Sequence, residues 1–469
     1  PATGESPGRA AYAGRIPDDT WSDPPVTRDL TSDLTDRLAK AFDADPTARL
    51  MQNAVTTTPV DDIALDRRVV TSIDHSVSHL LDDWTATSQE KSGRCWLFAG
   101  TNLLRVGAAT KMGVKDFEFS QNHLLFWDKF EKANHWLESI LATADRDIDD
   151  RTVAHLLSTP AEDGGQWNMF VALVVKHGLV PKSAMPETKS SSNTRLMNRD
   201  LSTVLRQAAR DLRAAAAGGT SAEDLDTAKE EVLATVHRLL AIHLGTPPES
   251  FVWQWKDTDK GFHRDGLLDP HEFAEAYVTV PLEDYVCIVN DPRTTSPYGR
   301  TFTVEHLGNV VGAPPVTYLN VETDLMKRLA AESIVGGEPV WFGCDTGQMS
   351  HSDLGLWDAA LFDRAAVYGT TPDLPKADRL THHESLMTHA MLFTGVDLDG
   401  DVPRRWRVEN SWGSEKGDKG FFTMNDNWFG EHVFEIAVRK DALPEELQSA
   451  LSTAPIVLPA WDPMGALAN

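Results

Sequence analysis

Cys95 lies in the stretch "SQEKSGRCWLFAG" and is one of only three cysteines in 469 residues. A Ser-Gly turn runs into an apolar segment there, and Gln89 stands six positions upstream. A thiol that attacks a carbonyl needs a base to take its proton, a positive field to hold the thiolate, and donors for the oxyanion. "CWLFAGTNLLR" reads as a helix, which puts Cys95 at its amino end. Unpaired N–H groups and about half a unit of positive charge favour a thiolate at such a place. Of sixteen histidines, His389 is the best placed to act as base. It opens "HAMLFTGV", a predicted strand on which positions 389, 391, 393 and 395 share one face. The next predicted strand, in "RWRVENSWG", ends at Asn410, and the turn after it carries Trp412. An amide at that point can accept from the imidazole N–H and fix its tautomer. The indole can keep water from loosening that bond.

Taken singly, each residue also has a structural reading. A cysteine in "CWLFA" can be a small buried hydrophobe, a histidine at a strand start a satisfied polar group, and "NSWG" a plain turn. The joint order is more specific. Gln89, then Cys95-Trp96 at a helix start, then His389 on a strand, then Asn410 to Gly413 after the next strand is the papain-type arrangement. Two departures stand out. Arg94, not a small residue, precedes the cysteine, and Cys95 and His389 lie 294 residues apart, against about 130–150 in papain-type enzymes.

The elements that must position these residues fall into two halves. Residues 1 to about 25 are rich in Pro, Gly, Ala and Asp and read as a loose arm. One helix is expected in "TSDLTDRLAKAFDAD", followed by an extended approach to Gln89. From 92 to 245 helical signals dominate. "SQNHLLFWDKFEKANHWLESILATA" repeats Leu124, Trp127, Phe130, Leu137 and Leu141 behind a Ser120 cap. "SAEDLDTAKEEVLATVHRLLAIHLG" starts on Ser221 with Asp224 three residues later and stops at Gly245. Beyond about 250, "YVCIV", "VTYL", "PVWFG", "AMLFTGV", "RWRVEN", "GFFTM" and "VFEIAV" read as strands. The pattern is α+β, and a helical block at about 130–250 accounts for most of the extra spacing between nucleophile and base.

The length allows two or three lobes or one enlarged domain at roughly 150 residues each. Seventy acidic against 44 basic side chains give a net charge of −26, which argues against nucleic-acid and anionic-membrane partners. Three unclustered cysteines exclude a disulfide framework. No apolar run approaches the ~20 residues of a membrane span, and the first residues have no apolar core for a signal peptide. The cytoplasm is the expected location. "THHESLMTH" lacks the HExxH spacing of a zinc site, so His382 and His383 are expected on the surface or in a loop. Cys287 and Cys344 are expected as buried structural thiols, and "DGGQW" as a turn. No metal or other cofactor is expected, since thiolate chemistry needs none.

From about residue 30 to its end the chain resembles the bleomycin hydrolase and aminopeptidase C family of cysteine peptidases. The resemblance is carried by "SGRCWLF", "FEFSQNHLLFWDKFEKAN", "DGGQWNMF", "GTPPESF", "VNDPR", "VWFGCD", "ESLMTHAMLFTGV", "WRVENSWG" and "LPAWDPMGALA". It implies a papain-like core spanning 26–469, enlarged by insertions and assembled as a homohexameric ring around an internal cavity. It also implies a cytoplasmic aminopeptidase acting on peptides and on the β-aminoalanine amide of bleomycin. Residue by residue, Cys95 matches the nucleophile, His389 the base, Asn410 the orienting residue and Gln89 the oxyanion donor, with Trp96 and Trp412 in support. The C-terminal arm, about 455–469, is expected in the cleft. A terminal carboxylate on Asn469, or on a trimmed Ala468, would bind the substrate's α-ammonium there. An amidase or acyltransferase on the same site, and a catalytically silent interaction protein, are the competing readings. The filled catalytic positions count against the second.

Overall fold

The computed structural model describes residues 28–81, 84–370, 372 and 374–467. The expected loose arm at 1–25 and the tail residues Ala468 and Asn469 lie outside the described residues. Two compact units are distinguished, 28–64 with 364–370, and 65–363 with the chain from 372 onward.

In the smaller unit the expected helix is Ser32–Ala44, capped by Thr31. Further helices at Pro46–Val55 and Val60–Ala64 were not expected. The Asp45 carboxylate accepts from the N–H groups of Thr47 and Ala48, and Pro46 occupies the first helical turn. An Asp-Pro pair that reads as a break therefore restarts the helix.

The larger unit packs helices onto one mixed sheet of twelve strands. The helix Cys95–Met112 is buried around most of its circumference, as its largely apolar sequence demands. It ends at Gly113, whose φ of 66° suits a residue without Cβ. Ser120 caps Gln121–Ala142 by accepting from the His123 N–H at 3.0 Å. Ser221 caps Ala222–Leu244 in the same way through Asp224. Arg195–Ala217 completes the helical block.

Strands Val433–Arg439, Val340–Cys344, His389–Asp399, Val402–Glu409 and Phe421–Asn425 lie side by side in that order, each antiparallel to the next. Ala390 and Leu392 pack in the cluster that holds the helix Cys95–Met112, and Met391 and Phe393 pack in the opposite one. Phe393 stacks on Phe342 with centroids 3.8 Å apart. Truncating it to Ala would cost about 3–5 kcal/mol. The sheet-rich half also contains helices, at Pro270–Tyr277 and Thr323–Val335. Asp269 and Glu272 form a full capping box at the first, a signal that the strand-rich surroundings concealed. A separate two-stranded ribbon, Phe251–Lys256 with Phe262–Leu268, was likewise not anticipated.

Candidate active site

The ladder brings the distant residues together. Leu392 pairs with Glu409, so His389, three residues before one, and Asn410, just after the other, reach the same end of adjacent strands. His389 Nε2 and Asn410 Oδ1 lie 2.9 Å apart. The Ser411 N–H also donates to Oδ1 at 2.7 Å, which fixes the amide with its oxygen toward the ring. Trp412 lies tilted beside the imidazole at 5.0 Å between centroids. Cys95 is the first residue of its helix, and the Ala390 N–H donates to its Sγ at 3.4 Å. The thiol thus sits against the residue next to His389.

Burial sets the electrostatics. It pushes the Cys95 thiol up to about 12, against smaller lowering effects from the N–H groups of Ala390 and Trp96. It presses His389 down to about 4, only partly offset by Asn410. The expected advantage of the helix terminus for a thiolate is present, but desolvation outweighs it. Burial thus works against both the thiolate and the imidazolium.

Gln89 is buried beside this pair. Its Oε1 accepts from Ser411 Oγ at 2.6 Å, its Nε2 donates to the Ser92 carbonyl, and its N–H bonds the Ser411 carbonyl. Glu409 fastens the two halves. Its carboxylate receives Asn102 Nδ2 at 2.9 Å and Arg105 Nη2 at 2.5 Å from the helix Cys95–Met112, and the Trp84 indole at 2.5 Å.

Arg94 is fully buried and makes a bidentate pair with Glu187 at 2.9 and 3.0 Å. Its Nε reaches Ser92 Oγ at 2.8 Å. The departure from a small residue therefore ties the turn before Cys95 to the segment leading into Arg195–Ala217.

"DGGQW" is more than a turn. The Asp163 carboxylate accepts from the Gly93 N–H at 2.9 Å, from Asn198 at 2.7 Å and from Thr194, and it pairs with Lys129 at 2.7 Å. Burial would raise its pKa, but Lys129 and these donors outweigh burial and hold it well below the usual carboxylate range. The Asp163 carbonyl receives the Trp96 indole N–H at 2.8 Å. Gly165 packs against that ring so closely that a Cβ would lie 2.5 Å from it, so Trp96 and Gly165 require each other. A buried acid followed by paired glycines was the available signal.

A cleft of about 700 Å³ opens beside these buried residues. Ser92, Gly93 and Thr388, which flank the reactive residues, line it together with Glu162 and the arm residues Ala466 and Leu467. The arm thus reaches the cleft as far as it is described. Cys287 and Cys344 are buried on strands, with their thiols pushed well up by burial. His382 and His383 are exposed. Among the described residues no helix is long and apolar enough to cross a membrane.

Comparison with known proteins gives the family and the fold. The Peptidase C1-like family matches residues 29–465. The chain is 43% identical over 441 residues to an aminopeptidase C of Streptococcus thermophilus, covering 94% of this chain and 99% of that one. It is 41% identical over 451 residues to a bleomycin hydrolase of Homo sapiens, with coverage of 94% and 99%. The crystal structure of PepW from Lactobacillus rhamnosis superposes with a TM-score of 0.92 at 44% identity, over 94% of this chain and 99% of that one. The α+β architecture is accordingly the papain-like fold, and the chain belongs to the Peptidase C1-like family.

Proposed function

We propose that the protein is a cysteine aminopeptidase that removes amino-terminal residues from peptides through an acyl-enzyme. The observation that carries this reading is the Cys95 thiol set against the head of the strand whose His389 is held by Asn410. With Nε2–H donated to Asn410, Nδ1 keeps the lone pair that takes the thiol proton. Sγ then attacks the scissile carbonyl carbon as the proton moves, so opposite charges form together and no net charge is buried. Gln89 Nε2 donates its second N–H to the oxyanion. The C–N bond breaks, the imidazolium proton leaves with the amine, and water hydrolyses the thioester by the reverse proton path.

The arm is proposed to close the cleft beyond the substrate's amino end, with a carboxylate on Asn469 or on a trimmed Ala468 meeting the α-ammonium. The family likeness supports this, as do Ala466 and Leu467 in the cleft wall. The same likeness supports a homohexamer, bleomycin-type amide hydrolysis and a cytoplasmic site of action.

A panel of aminoacyl fluorogenic substrates, each with and without an N-acetyl block, tests the reading, with thiol alkylation located by mass. Turnover of free-amine substrates and alkylation at Cys95 are expected. Transfer to an added amine in preference to water would instead favour the acyltransferase reading. Deleting 466–469 should let blocked peptides be cut, and a truncated enzyme that still refuses them would remove the arm as gate. Sedimentation at the 51.7 kDa chain mass, not six times it, would remove the hexamer.

A further inference from the structure

The arm needs something to set how far it enters the cleft, and one fully buried amide stands where that can be done. Gln166 is the N-cap residue of the helix Trp167–His177, yet its side chain makes no capping bond. Its Nε2 instead donates to the Ala466 carbonyl at 2.8 Å, across 300 residues of sequence. Its Oε1 accepts from the hydroxyl of Tyr318, itself buried on the strand Tyr318–Asn320. A phenol has one proton to give. Spent on Oε1, it leaves the amide with its NH2 toward the arm.

We infer that Gln166, oriented by Tyr318, is a positioning residue that fixes the depth of the C-terminal arm in the cleft and so the enzyme's restriction to free amino ends. This inference rests on the proposed role of the arm as gate. Its geometry is independent of that role. Asp163 holds the Trp96 indole, Gly165 packs on the same ring, and Gln166 follows directly. One short segment therefore references the arm to the nucleophile's neighbour. Upstream, Arg293 pairs bidentately with Asp462 at 2.8 and 3.1 Å, and Ile456–Leu458 lies parallel to Thr301–Val304 at the sheet edge. These contacts anchor the base of the arm, five or more residues before its described end. At Ala466, beside the cleft, Gln166 holds the arm by a side-chain hydrogen bond.

The test compares the full chain, a 466–469 deletion, Gln166→Glu, Tyr318→Phe, and Gln166→Glu combined with the deletion. For each, kcat/KM is measured on one peptide with a free amino end and on its N-acetylated form, together with the rate of iodoacetamide alkylation at Cys95. Gln166→Glu keeps the acceptor for Tyr318 but replaces the donor to Ala466. It should raise the blocked-to-free ratio about tenfold, the effect of one buried hydrogen bond. Tyr318→Phe should shift the ratio the same way by less, and it carries the test if Gln166→Glu fails to fold. Alkylation should keep its rate, and Gln166→Glu should add nothing once the arm is deleted. If deletion relaxes selectivity while both point variants keep the original ratio, Gln166 does not position the arm, although the arm remains the gate. A Gln166→Glu effect that persists in the truncated protein overturns the inference as well. If deletion itself changes nothing, the gate reading falls and the inference falls with it.

Discussion

The proposed catalytic centre and the C-terminal arm lie beside one cleft but are built differently. The centre is held by main-chain ladders. The pairing of Leu392 with Glu409 aligns His389 with Asn410, and the Ala390 and Ser411 N–H groups point at Sγ and at the orienting amide. The arm has a strand pairing at its base, Ile456–Leu458 on Thr301–Val304, but beyond it is held by side chains, with Arg293 on Asp462 and Gln166 on Ala466. Backbone hydrogen bonds survive most substitutions, whereas a side-chain clamp disappears with one. The placement of the strands at the centre is therefore less exposed to substitution of neighbouring side chains than the placement of the arm beyond its base.

The largest effect should come at the centre. Cys95→Ala should abolish hydrolysis while leaving the melting temperature close to that of the parent, since the covalent step has no other nucleophile. Comparable turnover by the purified variant would end this mechanism. His389→Ala should follow closely, with Asn410→Ala milder because the amide only orients the ring. Equal losses at 389 and 410 would show that the ranking of roles is wrong. Gln89→Ala should slow the reaction by on the order of 10²–10³-fold, as loss of an oxyanion donor does, and an unchanged kcat would assign its amide to the Ser92 and Ser411 contacts alone.

At the arm, Arg293→Met should act on selectivity more than on rate. Cleavage of blocked peptides should rise several-fold, about what one weakened ion pair supplies, with Cys95 alkylation unaffected. A uniform fall in kcat on free and blocked substrates would erase the contrast between the two regions.

Acid offers a further handle on the centre. Burial presses His389 to about 4, below the roughly 6.5 of an unfolded chain. Between those values the unfolded chain binds a proton that the folded one does not, so stability falls as pH drops from about 6.5 toward 4. The full shift is on the order of 3 kcal/mol. His123, pressed to about 4, and His432, to about 3, act in the same sense. Urea midpoints at pH 7.5 and 4.5 should show the loss, and His123→Asn should reduce it. An acid limb of unchanged slope would remove this histidine as a contributor.

The smallest effects belong to the remaining thiols. Cys287→Ser and Cys344→Ser should each cost about 1–3 kcal/mol for a buried hydroxyl and keep most activity per folded molecule. A selective loss of kcat would place one of them in the chemistry.

Residue chemistry alone made Cys95, His389 and Asn410 legible, because few side chains can serve as nucleophile, base and orienting amide, and each stood at a recognisable element end. The capped helices at Ser120 and Ser221 and the branched strands were legible for local reasons of capping and period. The helix after Asp45 and the capping box at Asp269 were local signals too, but overlooked beside a proline and among strands. What no window of sequence contains is the pairing of remote groups. Asp163 with Lys129 and Gly93, Arg94 with Glu187, Glu409 with Asn102 and Arg105, and Gln166 with Ala466 each join segments far apart in the chain. Burial is also a property of the assembled fold, and at Cys95 it works against the helix terminus by raising the thiol. The sequence by itself determined which groups are available to react. Tertiary structure decided how they are held, because desolvation and long-range hydrogen bonds exist only once the distant segments are packed together.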